Sequence, residues 1–460
     1  ENDSTLANGL NDLSAAMEQL AIEPNSASVR NDVVEAADSL VRRLNDFATE
    51  TKNLRVEADR QIAQGVDAVN SALERISELN DEISKANALG RPTGELEDER
   101  DRQLGTLSQW MDVSTFPRDN GTIVVMGRTS SGSGTTLVDS EAAQFTFTRA
   151  NALGATADSG DHPELVNDPN TELGSVSGGK LGALFEMRDS TLTDFHRDID
   201  RLAQSVRDRV NAAHNQGTVG NAGQATITGS VELAGDPIAL STPAEITVNR
   251  VAADGTVIAA HTVDLAGLGN PATPAGIASQ ISGAHGDITA TVNADDQLQI
   301  VASGTTAGLT IDSGEVTLSG NDSGGQARNF SHYFGLNNLF ETPGRTYDAG
   351  DANWDLTDTA QDLQLRSDIA ADAELLSRGR ASTQDGAQAV ADGDNTTANA
   401  LAAAFETGGD IGAAGKLPAI QDVKLADYAG DLLSYYATST QRAETARDFQ
   451  ETMRDELKFR

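Results

Sequence analysis

The chain has 460 residues and a formal net charge of −37 at pH 7, with 33 Lys and Arg against 70 Asp and Glu. A surface this acidic repels nucleic acid and anionic lipid, so neither is expected as a partner. The chain has no Cys, which excludes disulfides and thiolate metal sites. It also lacks the run of about 18 apolar residues that a membrane span requires.

The first predicted element is a helix near the beginning of the chain. Its apolar residues are spaced by four and three positions, which places them on one helical face: Leu6, Leu10, Leu13, Met17 and Leu20. A Pro at position 24 interrupts the pattern, and Asn25 or Ser26 can cap the helix that follows.

A much longer helix is predicted from Ser26 to Ala88, where apolar steps of three and four dominate and no Pro occurs. At the helical rise per residue, it would be roughly 95 Å long. Because its opposite face is polar, such a helix must lie against partner helices. Its predicted core residues are Leu40, Leu44, Phe47, Leu54, Ile62, Val66, Leu73, Ile76 and Ile83.

Short strands and a second long helix are predicted next. Asn120-Gly121 is typical of a tight β-hairpin turn, within a small β-hairpin region at about 112–174. The helix that begins at Lys180 contributes Leu184 and Leu202 to the predicted core. From 218 to about 330, alternating apolar runs are separated by Gly, Asn and Asp, which predicts an antiparallel β domain.

The last element returns to helical spacing from Leu425 to Leu457, with Leu432 and Phe449 as predicted core residues. We expect the helices at the two chain ends to bury their apolar faces against each other. The predicted fold class is therefore α+β multidomain, with an elongated antiparallel helical bundle made from both chain ends and inserted antiparallel β domains. The predicted domains are a helical rod (1–217 with 425–460), an inserted β domain (218–365) and a mixed return segment (366–424).

One segment resembles a phosphate-binding loop. Gly174 to Lys180 has the two Gly at the right spacing before a Lys, but Leu181 stands where a Ser or Thr hydroxyl would bind Mg²⁺. A turn that opens a helix is the preferred interpretation, and a nucleotide hydrolase acting through Lys180 is the enzyme alternative. The six His show no metal-binding spacing. We therefore predict no catalytic residue, no cofactor and no metal site.

The segment from Gly178 to Asp189 carries the most specific resemblance to a known family. It is similar to a signature of the flagellar hook-associated protein 1 family, the hook–filament junction proteins, through Gly179, Leu181, Leu184, Arg188 and Asp189. The stretches Val210 to Gly217 and His332 to Phe340 also resemble parts of that family. The family's terminal assembly segments are absent, so we expect a chain trimmed at both ends.

The resemblance implies a structural subunit of the bacterial flagellum, outside the cell, that joins hook to filament and acts as a mechanical adaptor. It implies export without a cleaved signal peptide. It also implies four kinds of partner: other copies of the chain in a ring, the hook protein, the second junction protein and an export chaperone for the full-length chain. The alternatives are another flagellar axial protein, namely the second junction protein or flagellin, and an acidic extracellular adhesin.

Overall fold

The computed structural model describes residues 5–128, 134–149, 164–165, 168–172, 178–218, 223–233, 237–322, 327–344, 346–347 and 357–458. The chain divides into two compact units. We call Thr49–His196 the hairpin unit, and Glu1–Ala48 together with Arg197–Arg460 the terminal unit. The gaps include most of the phosphate-loop-like motif at 174–177 and part of the predicted hairpin region.

The helices follow the predicted order along the chain. They are α1 (Leu6–Ile22), α2 (Ala27–Ala88), α3 (Gly94–Trp110), α4 (Gly179–Glu186), α5 (Leu192–His214), α6 (Pro274–Ser282), α7 (Phe330–Phe334), α8 (Thr359–Asp362), α9 (Ser367–Ala371), α10 (Thr396–Glu406) and α11 (Leu425–Lys458). A π-helical turn, Met187–Thr191, joins α4 to α5, and short 3₁₀ turns occur at Ala266–Leu268 and Ala373–Leu375. Among the described residues, no helix combines the length and apolar character of a membrane span.

Helices from the two chain ends meet in the terminal unit, as the spacing predicted. The predicted apolar residues of α1 are all buried, and α1 packs against α10 and α11. Thr5 caps α1 by accepting a hydrogen bond from the backbone of Asn8. The apolar face of α11 is buried only as far as Leu432, and each side chain from 433 to 445 is exposed or partly exposed. The predicted burial of the α11 apolar face is therefore wrong for residues 433–445, because the neighbouring elements cover only its first turns.

The hairpin unit contains two small antiparallel sheets. Their strands are β1 (Val113–Pro117), β2 (Ile123–Arg128), β3 (Gly134–Val138), β4 (Phe145–Thr146), β5 (Glu164–Leu165) and β6 (Asp168–Glu172), ordered β1-β2-β3 and β4-β5-β6. The predicted hairpin is present, since β1 pairs with β2 around Gly121, whose φ is +85°. Apolar residues of α2, α3, α4 and these sheets form one core. Each fully buried Leu or Ile in it stabilises the fold by about 1.5–3 kcal/mol.

The remaining strands lie in the terminal unit. They are β7 (Thr226–Thr228), β8 (Glu232–Leu233), β9 (Glu245–Val251), β10 (Val257–Asp264), β11 (Ile288–Val292), β12 (Leu298–Ala302), β13 (Gly308–Asp312), β14 (Thr317–Asn321), β15 (Ala327–Asn329), β16 (Phe340–Glu341), β17 (Thr346–Tyr347), β18 (Gln364–Leu365), β19 (Gly409–Ile411) and β20 (Ile420–Val423). The antiparallel sheets β10-β9-β13 and β11-β12-β7 enclose a core with α6 and α7. The short pair of β8 and β17 is parallel.

The division into units differs from the predicted domain boundaries at 217, 365 and 424. The β region and the return segment belong to the terminal unit, whereas α2 and α5 each contribute residues to both units. The physical reason is packing: buried side chains at the end of α5 bind loops of the β region and of the return segment. A change in sequence character at residue 218 therefore does not mark the end of a compact unit.

Candidate functional site

The signature segment begins with two Gly that lie against the end of α3. Gly178 and Gly179 both have positive φ, +104° and +65°. A Cβ on Gly179 would lie 2.5 Å from the carbonyl oxygen of Trp110. Only Gly adopts this backbone conformation at so close an approach without strain. The two Gly therefore hold the start of α4 against α3, which is a structural reason for their place in the signature.

The rest of α4 packs into the core of the hairpin unit. Leu181 is 1% exposed, and a Cβ on Gly65 of α2 would lie within 3 Å of both Leu181 and Trp110. Leu184 lies in the same core. The ammonium of Lys180 is 4.7 Å from the centre of the Trp110 ring, in a cation–π contact. Lys180, the residue of the nucleotide-hydrolase alternative, therefore lies over an aromatic ring.

Arg188, in the turn Met187–Thr191, is the centre of a buried charged group that we call the Arg188 cluster: Arg55, Asp59, Arg188 and Asp189. The guanidinium donates to Asp59 (2.7 Å) and, through two nitrogens, to Asp189 (2.7 and 2.9 Å). Arg55 donates from Nε to the backbone carbonyl of Arg188 (2.9 Å). Arg188 and Asp59 are 0% and 1% exposed, so both charges depend on these partners.

Aromatic rings and a further Arg surround this cluster. The Arg188 guanidinium lies 5.3 Å from the Phe185 ring centre and 6.0 Å from that of Phe147, and Arg149 lies 3.6 Å from Asp59. Burial by itself lowers the pKa of Arg188, but the hydrogen bonds and charges of Asp189 and Asp59 outweigh burial and raise it. Arg188 therefore remains a buried cation that connects α2 to the π-helical turn.

Most of the predicted core positions lie in the interior. Ten of them are at most 8% exposed: Leu40, Leu44, Ile62, Val66, Leu73, Ile76, Ile83, Leu184, Leu202 and Leu432. Phe47 is partly buried, and Phe449 lies outside the part of the chain whose side chains the structure describes.

Leu54 departs from the prediction, because 45% of it is exposed. The buried face of α2 passes instead through Thr51, Arg55 and Ala58, which are at most 2% exposed. Regular steps of four and three from Leu44 lead to these positions, so the helical spacing is consistent with their burial. Spacing alone favours the larger apolar residue, Leu54, because a buried Arg needs a partner that spacing does not reveal.

A second buried polar group lies at the end of α5, where it joins the two other family-like stretches. We call it the asparagine cluster: Asn211, His214, Asn215, Asn337 and Asn338. Asn211 accepts from the backbone N–H groups of residues 339 and 340 (2.9 and 3.0 Å) and donates to the carbonyl of residue 340 (2.7 Å). Asn215 accepts from the backbone of Asn337 (3.0 Å) and donates to the Asn338 side chain (2.7 Å).

His214 completes this cluster with both ring nitrogens. The backbone N–H of Ser377 donates to Nε2 (2.9 Å), so Nε2 carries no hydrogen, and Nδ1–H donates to the carbonyl of Asn337 (2.5 Å). Burial lowers the pKa of His214 to about 4, although the Asn337 carbonyl acts in the opposite direction. His214 is therefore neutral at pH 7.

Asp198 of α5 was not singled out from the sequence, yet it connects three parts of the terminal unit. Its carboxylate accepts from the backbone N–H groups of Gly415 (2.8 Å) and Lys416 (3.0 Å) and from the Tyr436 hydroxyl (2.8 Å). Burial raises its pKa, and these hydrogen bonds oppose that rise. One Asp among 70 acidic residues has no pattern that would have identified it.

These arrangements hold parts of the chain together. Charges in the Arg188 cluster are used in ion pairs, and the amides of the asparagine cluster are used in hydrogen bonds to backbone. Among the described residues, no group of three His, Asp or Glu is placed to hold a metal ion. What the site can do is fix elements against one another, and this suits a structural role.

Comparison with a solved structure gives a likeness across much of the chain. The structure of the flagellar hook junction protein FlgK from Burkholderia pseudomallei aligns with 82% of this chain and 61% of that chain, at 18% sequence identity and a TM-score of 0.45.

Comparisons by sequence cover about half of the chain. Flagellar hook-associated protein 1 of Salmonella typhimurium is 25% identical over 224 residues, 47% of this chain and 39% of that protein. The same protein of Escherichia coli K12 is 25% identical over 225 residues, 46% of this chain and 39% of that protein. The aligned part thus spans well under half of the length of these relatives. Residues 1–226 match the family model for the helical domain of the flagellar hook-associated protein FlgK. The chain is therefore FlgK-like, because its residues 1–226 are similar to the helical domain of the flagellar hook-associated protein FlgK.

Proposed function

We propose that this chain is part of a structural subunit at the junction between flagellar hook and filament, where it acts as a mechanical adaptor. The observation that carries the proposal is the match of residues 1–226 to the FlgK helical domain, a range that contains the whole signature segment. The buried Arg188 cluster supports it, since this cluster fixes the signature segment against α2. A subunit that transmits force needs such internal connections.

The proposed partners follow from the same family. They are further copies of the chain in a ring, the hook protein, the second junction protein and, for the full-length protein, an export chaperone. The proposed location is outside the cell, after export without a cleaved signal peptide. A structural rather than catalytic role is supported by the way α1 and α11 pack together and by the position of Lys180 over Trp110.

Imaging of intact flagella tests the proposal. In the source bacterium, the gene for the protein that carries this chain is deleted and then restored with a tagged full-length copy. We expect filaments to be lost on deletion and to return on restoration, with gold-labelled antibody at one band between hook and filament in electron micrographs. Label along the whole filament, or on the cell surface, would favour flagellin or an adhesin and would overturn the junction role.

Restoring the deletion strain with an Arg188→Met variant tests whether the Arg188 cluster is needed for filament attachment. Because the substitution removes the cation of the Arg188 cluster, we expect fewer cells with attached filaments. Arg60→Met serves as the control, since Arg60 pairs with Glu57 on an exposed face of α2. Equal filament counts for both variants would show that filament attachment does not depend on the Arg188 cluster.

A further inference from the structure

A short strap of the return segment, residues 377–379, lies between the end of α5 and the start of α10. At one side, Ser377 N–H donates to His214 (2.9 Å) and Thr218 N–H donates to the carbonyl of Gly379 (3.2 Å). At the other side, the carbonyl of Arg378 accepts from Thr397 and Ala398 at the start of α10 (3.1 and 3.0 Å). The strap therefore fastens two helices of the terminal unit together.

The contact with His214 depends on a neutral ring. Ser377 is 0% exposed, and its backbone N–H has Nε2 of His214 as its acceptor. A proton added to Nε2 would place a second N–H against that donor. Nδ1 cannot accept in its place, because it already donates to Asn337 (2.5 Å). Protonation thus removes one hydrogen bond and leaves a buried backbone donor without its acceptor, which is costly.

We propose that His214 is an acid-sensitive latch: protonation of its ring releases Ser377, so that the strap opens from α5 while the rest of the terminal unit remains folded. At neutral pH the latch is closed. This device is independent of the junction role, because it rests on contacts within the terminal unit.

Burial, more than the charged groups nearby, keeps His214 neutral in the closed state. Arg366 and Asp368 are the charged groups that act on the ring through space, and they bind each other (2.6 Å). On the strap itself, the Arg378 guanidinium donates to the carbonyl of Ala391 (3.1 Å), and Arg380, which follows the strap, donates to Gln216 (3.0 Å). Burial is the main cause that lowers the pKa of His214 to about 4.

The pH dependence of strap opening follows from the difference between the pKa of His214 in the open strap and its pKa in the closed strap. An opened, solvated His has a pKa of about 6.5, so the open strap binds a proton that the closed strap does not. The equilibrium constant for opening should therefore rise about ten-fold for each pH unit below 6.5, and should level off near pH 4 after about 300-fold.

Hydrogen exchange on the complete chain tests the latch. Exchange at the amides of Ser377 and Thr218 is measured between pH 7 and 4 and corrected for intrinsic exchange rates, with amides of the β9–β10 pair as reference. We expect the ten-fold slope at Ser377 and Thr218, with a free energy of opening that stays below that of the reference amides at every pH, because the reference amides exchange only when the whole unit unfolds. A flat profile at Ser377, or a free energy of opening at Ser377 equal to that of the reference amides, which would indicate general unfolding, would overturn the proposal.

Two variants and one spectrum make the test specific. His214→Gln keeps an acceptor for Ser377 but cannot titrate, so the slope at Ser377 should disappear, whereas His332→Gln should leave it intact. If His214→Gln does not fold, ¹⁵N spectra of the wild-type imidazole still test whether protonation of His214 opens the strap. They should show Nδ1–H with a bare Nε2 at pH 7, and protonation only together with strap opening. A ring that protonates near pH 6.5 with the strap closed would contradict the latch.

Discussion

The Arg188 cluster and the asparagine cluster both connect separate elements through buried polar side chains, but the first uses charged groups and the second uses neutral ones. In the hairpin unit, the Arg188 cluster connects α2 to the π-helical turn with full charges at 0–1% exposure for Arg188 and Asp59. In the terminal unit, the asparagine cluster connects the end of α5 to distant loops with neutral amides and a neutral His. Both groups pair buried polar atoms from distant parts of the chain, and each includes residues from stretches that resemble the flagellar family.

The difference decides which perturbation each group is sensitive to. A buried ion pair gains little over an apolar pair, yet loss of one partner is expensive because the other charge stays buried. A neutral network contributes through many bonds of about 1 kcal/mol each, and leaves backbone groups unsatisfied when one side chain is removed. The hairpin unit should therefore be sensitive to charge deletion, and the terminal unit to protonation.

The largest expected effect is removal of the cation from the Arg188 cluster. Arg188→Met should lower the free energy of unfolding of the hairpin unit by about 3–5 kcal/mol, because Asp59 stays buried. Urea unfolding followed by Trp110 fluorescence measures it, in a background where Trp354 is replaced by Phe. Adding Asp59→Leu should recover most of the loss. No recovery in the double variant would contradict the buried-charge explanation.

Acid should weaken the terminal unit next most strongly. The pKa values of His214 and His332 are lowered to about 4 and about 3, mainly by burial. The unfolded chain therefore binds protons that the folded chain does not, and stability is lost as pH falls below about 6.5. The loss should approach about 3 kcal/mol for His214 alone at pH 4. Chemical unfolding at pH 7, 5.5 and 4.5 measures this slope, and equal stability at all three would refute it.

Deletion of one amide tests the neutral network. Asn211→Ala removes two acceptor contacts and one donor contact to the backbone of residues 339 and 340. We expect a loss of about 3 kcal/mol, measured by hydrogen exchange of the terminal unit. Asn87→Ala is the control, since Asn87 makes an exposed contact with the carbonyl of Asn120. Equal losses for the two variants would argue against a special role for the asparagine cluster.

A smaller effect should follow from a methyl group at the start of α4. Gly179→Ala combines a positive φ with a Cβ 2.5 Å from the Trp110 carbonyl oxygen, so we expect a loss of about 2 kcal/mol. Gly94→Ala provides the matched control, because no atom lies within 4 Å of the added Cβ. Thermal unfolding distinguishes the two, and an unchanged midpoint for Gly179→Ala would show that α4 can shift.

The smallest effect is expected at Lys180. Lys180→Ala removes one exposed cation–π contact with Trp110 and should cost about 0.5 kcal/mol. Calorimetric titration with Mg²⁺-ATP should give no heat for either the wild type or the variant. Binding that depends on Lys180 would restore the nucleotide-hydrolase alternative.

Local patterns carried much of the fold. The apolar spacing predicted α1 and α2, and the Asn-Gly pair predicted the β1–β2 hairpin. These features are determined by neighbours within a few residues, so the sequence alone contains them. The signature residues were also identified from the sequence, although their resemblance did not reveal that Arg188 binds Asp59.

Only the tertiary structure decided where polar side chains are buried. Spacing placed Leu54 inside, but the partner offered by the Arg188 carbonyl makes Arg55 the buried residue. Three features likewise depend on contacts between distant parts of the chain. They are the division of the chain within α2 and α5, the exposure of α11 side chains from 433 to 445, and the contact of Asn211 with residues 339 and 340. A buried polar or charged group is stable only if its partner is in place. Local sequence patterns cannot identify a partner that lies more than a hundred residues away.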